Sequence, residues 1–172
     1  MVNPVEDLAA LLQRQKAARI AEGPVNAAVR RDRLQRAIDM LVRHRDALCD
    51  ALDADFGNRP RVVSLTMDVM GAITSLKYAQ KHVARWMKPR HCKGVMPFSL
   101  FGARGWVEYQ PKGVVGILGT WNFPLYTMLA PLAYVLAAGN RSLIKPSELN
   151  PRTAETLARA VPECFDPAEV AV

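Results

Sequence analysis

The sequence predicts an α/β protein in which a helical N-terminal segment precedes the first part of a doubly wound parallel sheet. Three long stretches of the first half carry apolar residues at helical spacing. After Gly113, short apolar runs and helical stretches alternate as strand, helix, strand, helix, which is the pattern of a βαβ unit. We therefore divide the chain into helices plus a connecting strand over residues 1–112 and a sheet domain over residues 113–172.

The helical segment contains three predicted helices, over residues 4–20, 24–55 and 62–88. In the second, Leu34, Ile38 and Leu41 begin an apolar stripe whose members recur at spacings of three, four or seven. Gly57 and Pro60 end this helix, because glycine suits the position just past a helix and proline cannot easily continue one. Each helix is amphipathic and therefore needs a surface against which to bury its stripe.

The connection to the sheet domain is predicted as a loop followed by a strand. Residues 90–100 form the loop, and residues 105–110 alternate in the way a half-buried strand does.

The sheet domain begins with a continuous apolar run over residues 114–119, which is too short for a helix and predicts a strand buried on both faces. A helix over 125–138, closed by Gly139 and Asn140, precedes a strand over 142–145. Asn150 is the predicted N-cap of the next helix, which runs to Ala160. The apolar residues 170–172 indicate the beginning of a third strand.

The net charge of +7 is concentrated in the second helix, at Arg30, Arg31, Arg33, Arg36, Arg43 and Arg45. Acidic residues interleave with these arginines, and no aromatic side chain lies beside them to stack on bases. The pattern therefore favours a solvated helix face, and we expect no nucleic-acid partner. Contact with an acidic protein surface is the remaining interpretation.

The three cysteines, Cys49, Cys92 and Cys164, are odd in number and have no paired spacing. This argues against a disulfide framework and fits a reducing, cytoplasmic location, as does the absence of a recognisable signal peptide. The pair His91-Cys92 is either part of a metal site or two loop residues. No second ligand pair occurs at zinc spacing, so we expect no metal.

The stretch from Gly113 to Asn140 contains no charged residue and is long enough to span a bilayer. Asn122, Pro124 and Pro131 interrupt it, so it divides more naturally into a strand, a turn and one helix. We expect no membrane span.

The first candidate for chemistry is the segment from Gly119 to Pro124, which follows the predicted buried strand at its carboxyl end. Open α/β sheets bind their ligands at that edge. Within the segment, the Asn122 amide on a rigid turn is suited to stabilise an oxyanion. Equally, it could bond to its own backbone as a turn residue.

The second candidate is the segment from Lys145 to Glu148, which follows the next strand and so lies near the same edge of the sheet. A lysine and a glutamate three residues apart could both hydrogen-bond the hydroxyls of a ribose. The alternative is a helix start with a surface lysine.

Taken together, four segments resemble the aldehyde dehydrogenase superfamily in order and spacing, from about residue 30 to the end of the chain. They are Pro111–Gly116, Trp121–Leu125, Ala137–Asn140 and Lys145–Glu148. The helical segment, with its Asp55–Gly57 turn and Trp86–Pro89, is also similar to this family. Within it, the chain most resembles the coniferyl aldehyde dehydrogenase branch, which is class 3-like. The resemblance implies an incomplete aldehyde dehydrogenase fold with a Rossmann-like sheet.

The resemblance also implies roles for single residues. Asn122 matches the asparagine that steadies the oxyanion formed when a cysteine thiolate attacks the aldehyde. Phe123 and Tyr126 match positions that line the substrate tunnel. The nucleophile and the glutamate base of the family lie further along the sequence, so we expect the 172-residue chain to be inactive alone. Cys164 does not match the nucleophile, because the segment Pro162–Asp166 around it does not resemble the nucleophile segment of the family.

For the cofactor, the resemblance implies a site for NAD(P) in residues 113–172, the first half of its binding domain. The expected cofactor-binding residues are Leu118, Gly119, Thr120, Trp121, Lys145, Ser147 and Glu148, among which the lysine and glutamate hold the adenosine ribose. A carboxylate near the 2′ position would repel a 2′-phosphate and favours NAD, although the lysine leaves NADP possible. The glycines at 113, 116 and 119 do not have the G-x-G-x-x-G spacing.

The whole enzyme implied by this resemblance oxidises an aldehyde to the carboxylic acid and acts as a dimer. The resemblance to the coniferyl branch implies an aromatic aldehyde. Two alternatives remain. One is a non-enzymatic module that pairs with itself or with a full-length partner, and the other is a fragment that binds nucleotide only.

Overall fold

The computed structural model describes residues 4–92, 94 and 96–172. The helices are α1 (Pro4–Glu22), α2 (Ala27–Phe56), α3 (Arg61–Val63), α4 (Gly71–Trp86), α5 (Pro124–Ala137) and α6 (Pro151–Ala160). The strands are β1 (Arg90–Cys92), β2 (Gly105–Val107), β3 (Val114–Leu118), β4 (Arg141–Lys145) and β5 (Val170–Ala171). A π-helical segment, Ser64–Met70, joins α3 to α4 without a break.

The last three strands form a parallel sheet in the order β3-β4-β5. Helices α5 and α6 connect them, so the predicted parallel βαβ arrangement is confirmed. Strand β5 lies where the apolar residues 170–172 predicted a third strand. The uncharged stretch between Gly113 and Asn140 divides into β3, a turn and α5. Among the described residues, no helix combines the length and apolar character needed to cross a membrane.

One hydrophobic core joins the helical segment to this sheet. The predicted stripe of α2 is buried, with Leu34, Leu41 and Leu48 fully inaccessible to solvent. It packs in the same cluster as Leu125 of α5 and Ile144 of β4. Burial of these apolar side chains is the main favourable contribution to folding.

Strand β3 differs from its prediction as a strand buried on both faces. Ile117 is buried, but Leu118 is 76% exposed. Strand β3 pairs only with β4 and forms the edge of the sheet that the structure describes. Its apolar composition therefore did not distinguish a central strand from an edge strand.

The predicted loop over residues 90–100 was also partly wrong, because its first residues form β1. This strand pairs antiparallel with β2, and His91 lies opposite Trp106. Hydrogen bonds from a partner strand stabilise an extended conformation that local polar composition does not reveal. Lys93 and Val95 of the predicted loop lie outside the described residues. Within the described chain, no three His, Cys, Asp or Glu residues cluster as metal ligands.

The arginines of α2 do not all lie on a solvated face, and the prediction was wrong for two of them. Arg30 and Arg33 are 6% and 1% exposed, whereas Arg31, Arg43 and Arg45 are exposed. The acidic surface that Arg33 contacts belongs to this same chain. Its guanidinium donates to Glu22 at 2.6 Å and to Glu169 at 2.8 Å.

The sequence predicted that Asn150 caps helix α6, but its side chain does not do so. Asn150 occupies the N-cap position, but its side chain makes no capping hydrogen bond. Instead, the carboxylate of Asp55, at the end of α2, accepts from the backbone N–H groups of Arg152 (2.9 Å) and Thr153 (2.8 Å). A carboxylate satisfies these otherwise unpaired donors and also favours the helix dipole.

We expect Asp55→Ala to lower the free energy of unfolding by about 1–2 kcal/mol, since two N–H groups of α6 lose their acceptor. Urea denaturation followed by circular dichroism measures the change. The matched control is Asp50→Ala, which removes an exposed carboxylate of the same helix that pairs with Arg61. It should cost about 0–1 kcal/mol. Equal losses for the two variants would contradict the capping role.

Candidate functional site

A cavity of about 480 Å³ opens at the carboxyl ends of β3 and β4. It is lined by Leu118, Gly119, Thr120, Trp121, Asn122, Lys145, Ser147, Glu148 and Leu149. All of these except Leu149 are residues that the sequence analysis selected. The structure thus brings the candidate oxyanion asparagine and the candidate ribose pair to one cavity.

The sheet register explains why these two segments meet. Leu118 lies opposite Lys145 in the parallel ladder, and the Gly119 N–H donates to the Lys145 carbonyl at 2.9 Å. Both strands end at this level, so the residues that follow them face the same edge of the sheet.

On the β4 side of the cavity, Lys145 Nζ donates to Glu148 Oε2 at 2.7 Å. Both side chains are exposed, and the hydrogen bond from Lys145 lowers the pKa of Glu148. The ammonium has further N–H donors and the carboxylate further lone pairs, so the pair can engage a diol without separating. Ser147 is buried, and its hydroxyl accepts from the Leu149 N–H. Its side chain therefore shapes the turn between these residues.

On the β3 side, the Asn122 amide is oriented by a hydroxyl group. Thr120 Oγ1 donates to Asn122 Oδ1 at 2.8 Å. Thr127, in the first turn of α5, accepts from the Thr120 N–H at 3.2 Å and donates to the Phe123 carbonyl at 2.9 Å. With Oδ1 engaged, the NH₂ group of Asn122 is the part of the amide left to donate to an oxygen anion.

Neither of the two predicted tunnel residues lines this cavity. The Phe123 ring packs 5.2 Å from the Arg59 guanidinium. Tyr126 lies against Gly71, where a Cβ atom would be 2.9 Å from the Tyr126 ring, and it lines a neighbouring cavity with Thr127.

Sequence reasoning missed Arg59 and Asp68, which contact the Asn122 loop and α5. Asp68 is fully buried, and burial raises its pKa although Tyr126 N–H and Arg59 oppose the shift. The sequence did contain a signal that Asp68 is buried. It precedes Ala72 and Leu76, both buried in α4, by four and eight residues, so helical spacing places it on the same face. A carboxylate at such a position requires a buried partner.

None of the three cysteines, all in the described part of the chain, lines the cavity. Cys49 is buried in the core, and burial raises the pKa of its thiol. Cys164 packs against the same core.

Comparison with known proteins links this geometry to one family. The profile of the family described as "Aldehyde dehydrogenase family" matches residues 5–172. The chain is 47% identical to the coniferyl aldehyde dehydrogenase of Pseudomonas sp. (strain HR199 / DSM 7063), over 96% of this chain and 34% of that protein. It is 48% identical to a probable coniferyl aldehyde dehydrogenase of Caulobacter vibrioides, over 94% of this chain and 34% of that protein.

Among solved structures, the substrate-bound state of Staphylococcus aureus AldH matches with a TM-score of 0.88 and 25% identity. The match covers 96% of this chain and 35% of that one. The chain therefore spans about a third of the length of the relatives that it matches.

Proposed function

Since the chain belongs to the aldehyde dehydrogenase family, we propose that it forms the N-terminal part of an NAD(P)-dependent enzyme that oxidises an aldehyde to a carboxylic acid. The observation that carries this proposal is the meeting of Asn122 with Lys145 and Glu148 at one cavity, at the carboxyl edge of a parallel sheet.

In this proposal, Asn122 is the oxyanion stabiliser. Its NH₂ group donates to the oxygen that becomes negatively charged when a thiolate adds to the aldehyde carbon. Support comes from the Thr120 hydroxyl, which donates to the amide oxygen and so fixes the direction in which the NH₂ group points. The thiolate and the base that activates water are proposed to come from residues outside 1–172.

NAD(P), when bound, supplies the hydride acceptor. The residues present fit its adenosine ribose, because an exposed ammonium and an exposed carboxylate stand side by side at a strand end. The backbone of Leu118, Gly119, Thr120 and Trp121 would form the opposite wall. We favour NAD over NADP, since the charge of Glu148 disfavours a 2′-phosphate.

The proposed substrate class is an aromatic aldehyde. This rests on the two coniferyl aldehyde dehydrogenases to which the chain is 47% and 48% identical. A dimeric whole enzyme in the cytoplasm stays a prediction.

A second candidate function is nucleotide binding without catalysis. It is favoured because the cavity is lined by Lys145 and Glu148, which could hold a ribose, whereas none of its lining residues is a cysteine. Reading the coding sequence past Val172 separates the two. A frame that continues into a cysteine nucleophile and a glutamate base supports the dehydrogenase, and a stop codon there leaves nucleotide binding.

We expect the 172-residue chain to bind NAD with a Kd in the millimolar range or tighter, measured by calorimetric titration. Lys145→Met should weaken binding by roughly 10- to 150-fold, because charge-assisted hydrogen bonds to the ribose contribute about 1.5–3 kcal/mol. Lys81→Met is the matched control, since Lys81 is an exposed lysine of α4 away from the cavity. The absence of NAD binding at millimolar concentrations would contradict the second candidate function, nucleotide binding by this chain.

A further inference from the structure

One planar side chain, that of Arg59, connects the loop carrying Asn122 to the helical segment. Its Nη2 donates to Asp68 Oδ2 at 2.6 Å, and its Nη1 donates to the Asn122 carbonyl at 3.2 Å. Its guanidinium carbon lies 4.5 Å from the centre of the Phe56 ring and 5.2 Å from that of the Phe123 ring. Two aromatic contacts and two directional hydrogen bonds therefore determine where this group lies.

Asp68 connects the same arginine to the first turn of α5. Its second oxygen, Oδ1, accepts from the Tyr126 N–H at 3.3 Å. Phe123, at the N-cap position of α5, supplies no capping side chain. Asp68 thus satisfies a donor in the first turn of α5 from another helical segment, and its negative charge is stabilised there by the helix dipole.

Asp68 lies in the π-helical segment that joins α3 to α4. It precedes Ala72 and Leu76, both buried in α4, by four and eight residues, so helical spacing places all three on one face. Asp68 is 0% exposed, whereas Met70, two residues further on, is 57% exposed.

Two routes lead from this ion pair to Asn122. The direct route is the bond from Arg59 to the Asn122 carbonyl. The indirect route begins with Asp68, which anchors the turn containing Thr127. Thr127 in turn contacts Thr120, whose hydroxyl bonds to Asn122 Oδ1. Both the backbone and the side-chain oxygen of the asparagine are therefore held.

We propose that Arg59 and Asp68 are positioning residues that hold the Asn122 amide in the orientation required for oxyanion stabilisation. This rests on the proposed function of Asn122. A gain in stability is a poor explanation for the pair, because the cost of desolvating two buried charges offsets most of their attraction. Unlike apolar side chains, the pair makes directional hydrogen bonds, because the planar guanidinium of Arg59 donates to the Asp68 carboxylate and to the Asn122 carbonyl at the same time.

The test is ¹⁵N relaxation of the Asn122 side-chain NH₂ group in the 172-residue chain. In the wild type we expect an order parameter near the rigid value of about 0.85, and in Arg59→Met a value below about 0.6. Asn140 is the internal control, because its side chain accepts from the Gly113 N–H away from Arg59. Arg61→Met is the matched control variant, since Arg61 also forms two ion pairs, with Asp46 and Asp50, but on the surface.

A second variant separates geometry from charge. Arg59→Lys keeps the positive charge beside Asp68 but lacks the planar fork, so the order of Asn122 should still fall while Asn140 is unchanged. An Asn122 that stays rigid in both variants, or an Asn140 that loosens equally, would overturn the proposal. The measurement uses neither cofactor nor aldehyde, so its failure is distinguishable from an unchanged kcat in Asn122→Ala, which would contradict the proposed function of Asn122.

Discussion

Asn122→Ala is expected to lower kcat for aldehyde oxidation by about 10²–10³-fold, in a polypeptide that carries residues 1–172 together with the nucleophile and the base. The amide would donate to an oxygen whose negative charge appears only during the reaction, and loss of one such donor typically costs this much. NAD affinity should change little, because the lysine and glutamate that would hold the ribose are on the other side of the cavity.

Steady-state kinetics with an aromatic aldehyde provides the measurement. Asn58→Ala is the matched control, since Asn58 is an exposed loop asparagine outside the cavity. A kcat for Asn122→Ala equal to that of the control would exclude the oxyanion role. A large rise in the KM for NAD with unchanged kcat would instead assign Asn122 to cofactor binding.

Arg33→Met is expected to produce the largest loss of stability, roughly 3 kcal/mol in the free energy of unfolding. The Arg33 side chain is 2% exposed and pairs with both Glu22 and Glu169. Its removal leaves two partly buried carboxylates with fewer partners. Removing only one partner of a buried ion pair is strongly destabilising, because the charge that remains is no longer compensated. For a chain of this size the melting temperature should fall by roughly 10 °C.

Urea denaturation and thermal melting measure these changes. The control is Arg31→Met, because Arg31 is an exposed arginine of the same helix whose side chain donates a long hydrogen bond, of 3.5 Å, to the Gln80 carbonyl. A loss of less than about 1 kcal/mol in Arg33→Met, the range of a surface ion pair, would contradict a structural role for the buried cluster.

The same cluster should make stability depend on pH. Burial acts to raise the pKa of Glu169, but hydrogen bonds and charges from Arg36 and Arg33 outweigh it and the pKa is lowered. A lowered carboxyl pKa contributes stability above the unfolded value of about 4.3, and that stability is lost as the pH falls through the folded value. Between about pH 5 and pH 3, stability should therefore fall less steeply in Glu169→Gln than in the wild type.

Much of the local architecture was predictable because it depends on short-range pattern. The stripe of α2, the strand–helix–strand order and the third strand at Val170 follow from apolar periodicity and length. The end of α5 at Gly139 was also predicted from local sequence, because glycine suits the position just past a helix. This glycine has φ of +81°, and a Cβ atom there would lie 2.9 Å from the Arg30 guanidinium.

Three of the wrong predictions share one cause, which is a partner distant in the sequence. The cap of α6 comes from Asp55, 97 residues before Arg152. Strand β1 exists because β2 pairs with it. Arg33 is buried because Glu169, 136 residues away, neutralises it. Local sequence carries no information on such partners.

For the candidate site, the sequence alone identified the family and eight of the nine residues that line the cavity. These residues follow strand ends, and parallel topology brings strand ends to one edge of a sheet. Tertiary structure alone decided what holds them. Arg59 donates to the Asn122 carbonyl, 63 residues away, and Asp68 accepts from the Tyr126 N–H, 58 residues away, so local sequence could not predict these contacts. The physical reason is that a buried charge is tolerated only where packing delivers its partner, and packing is a property of the whole fold.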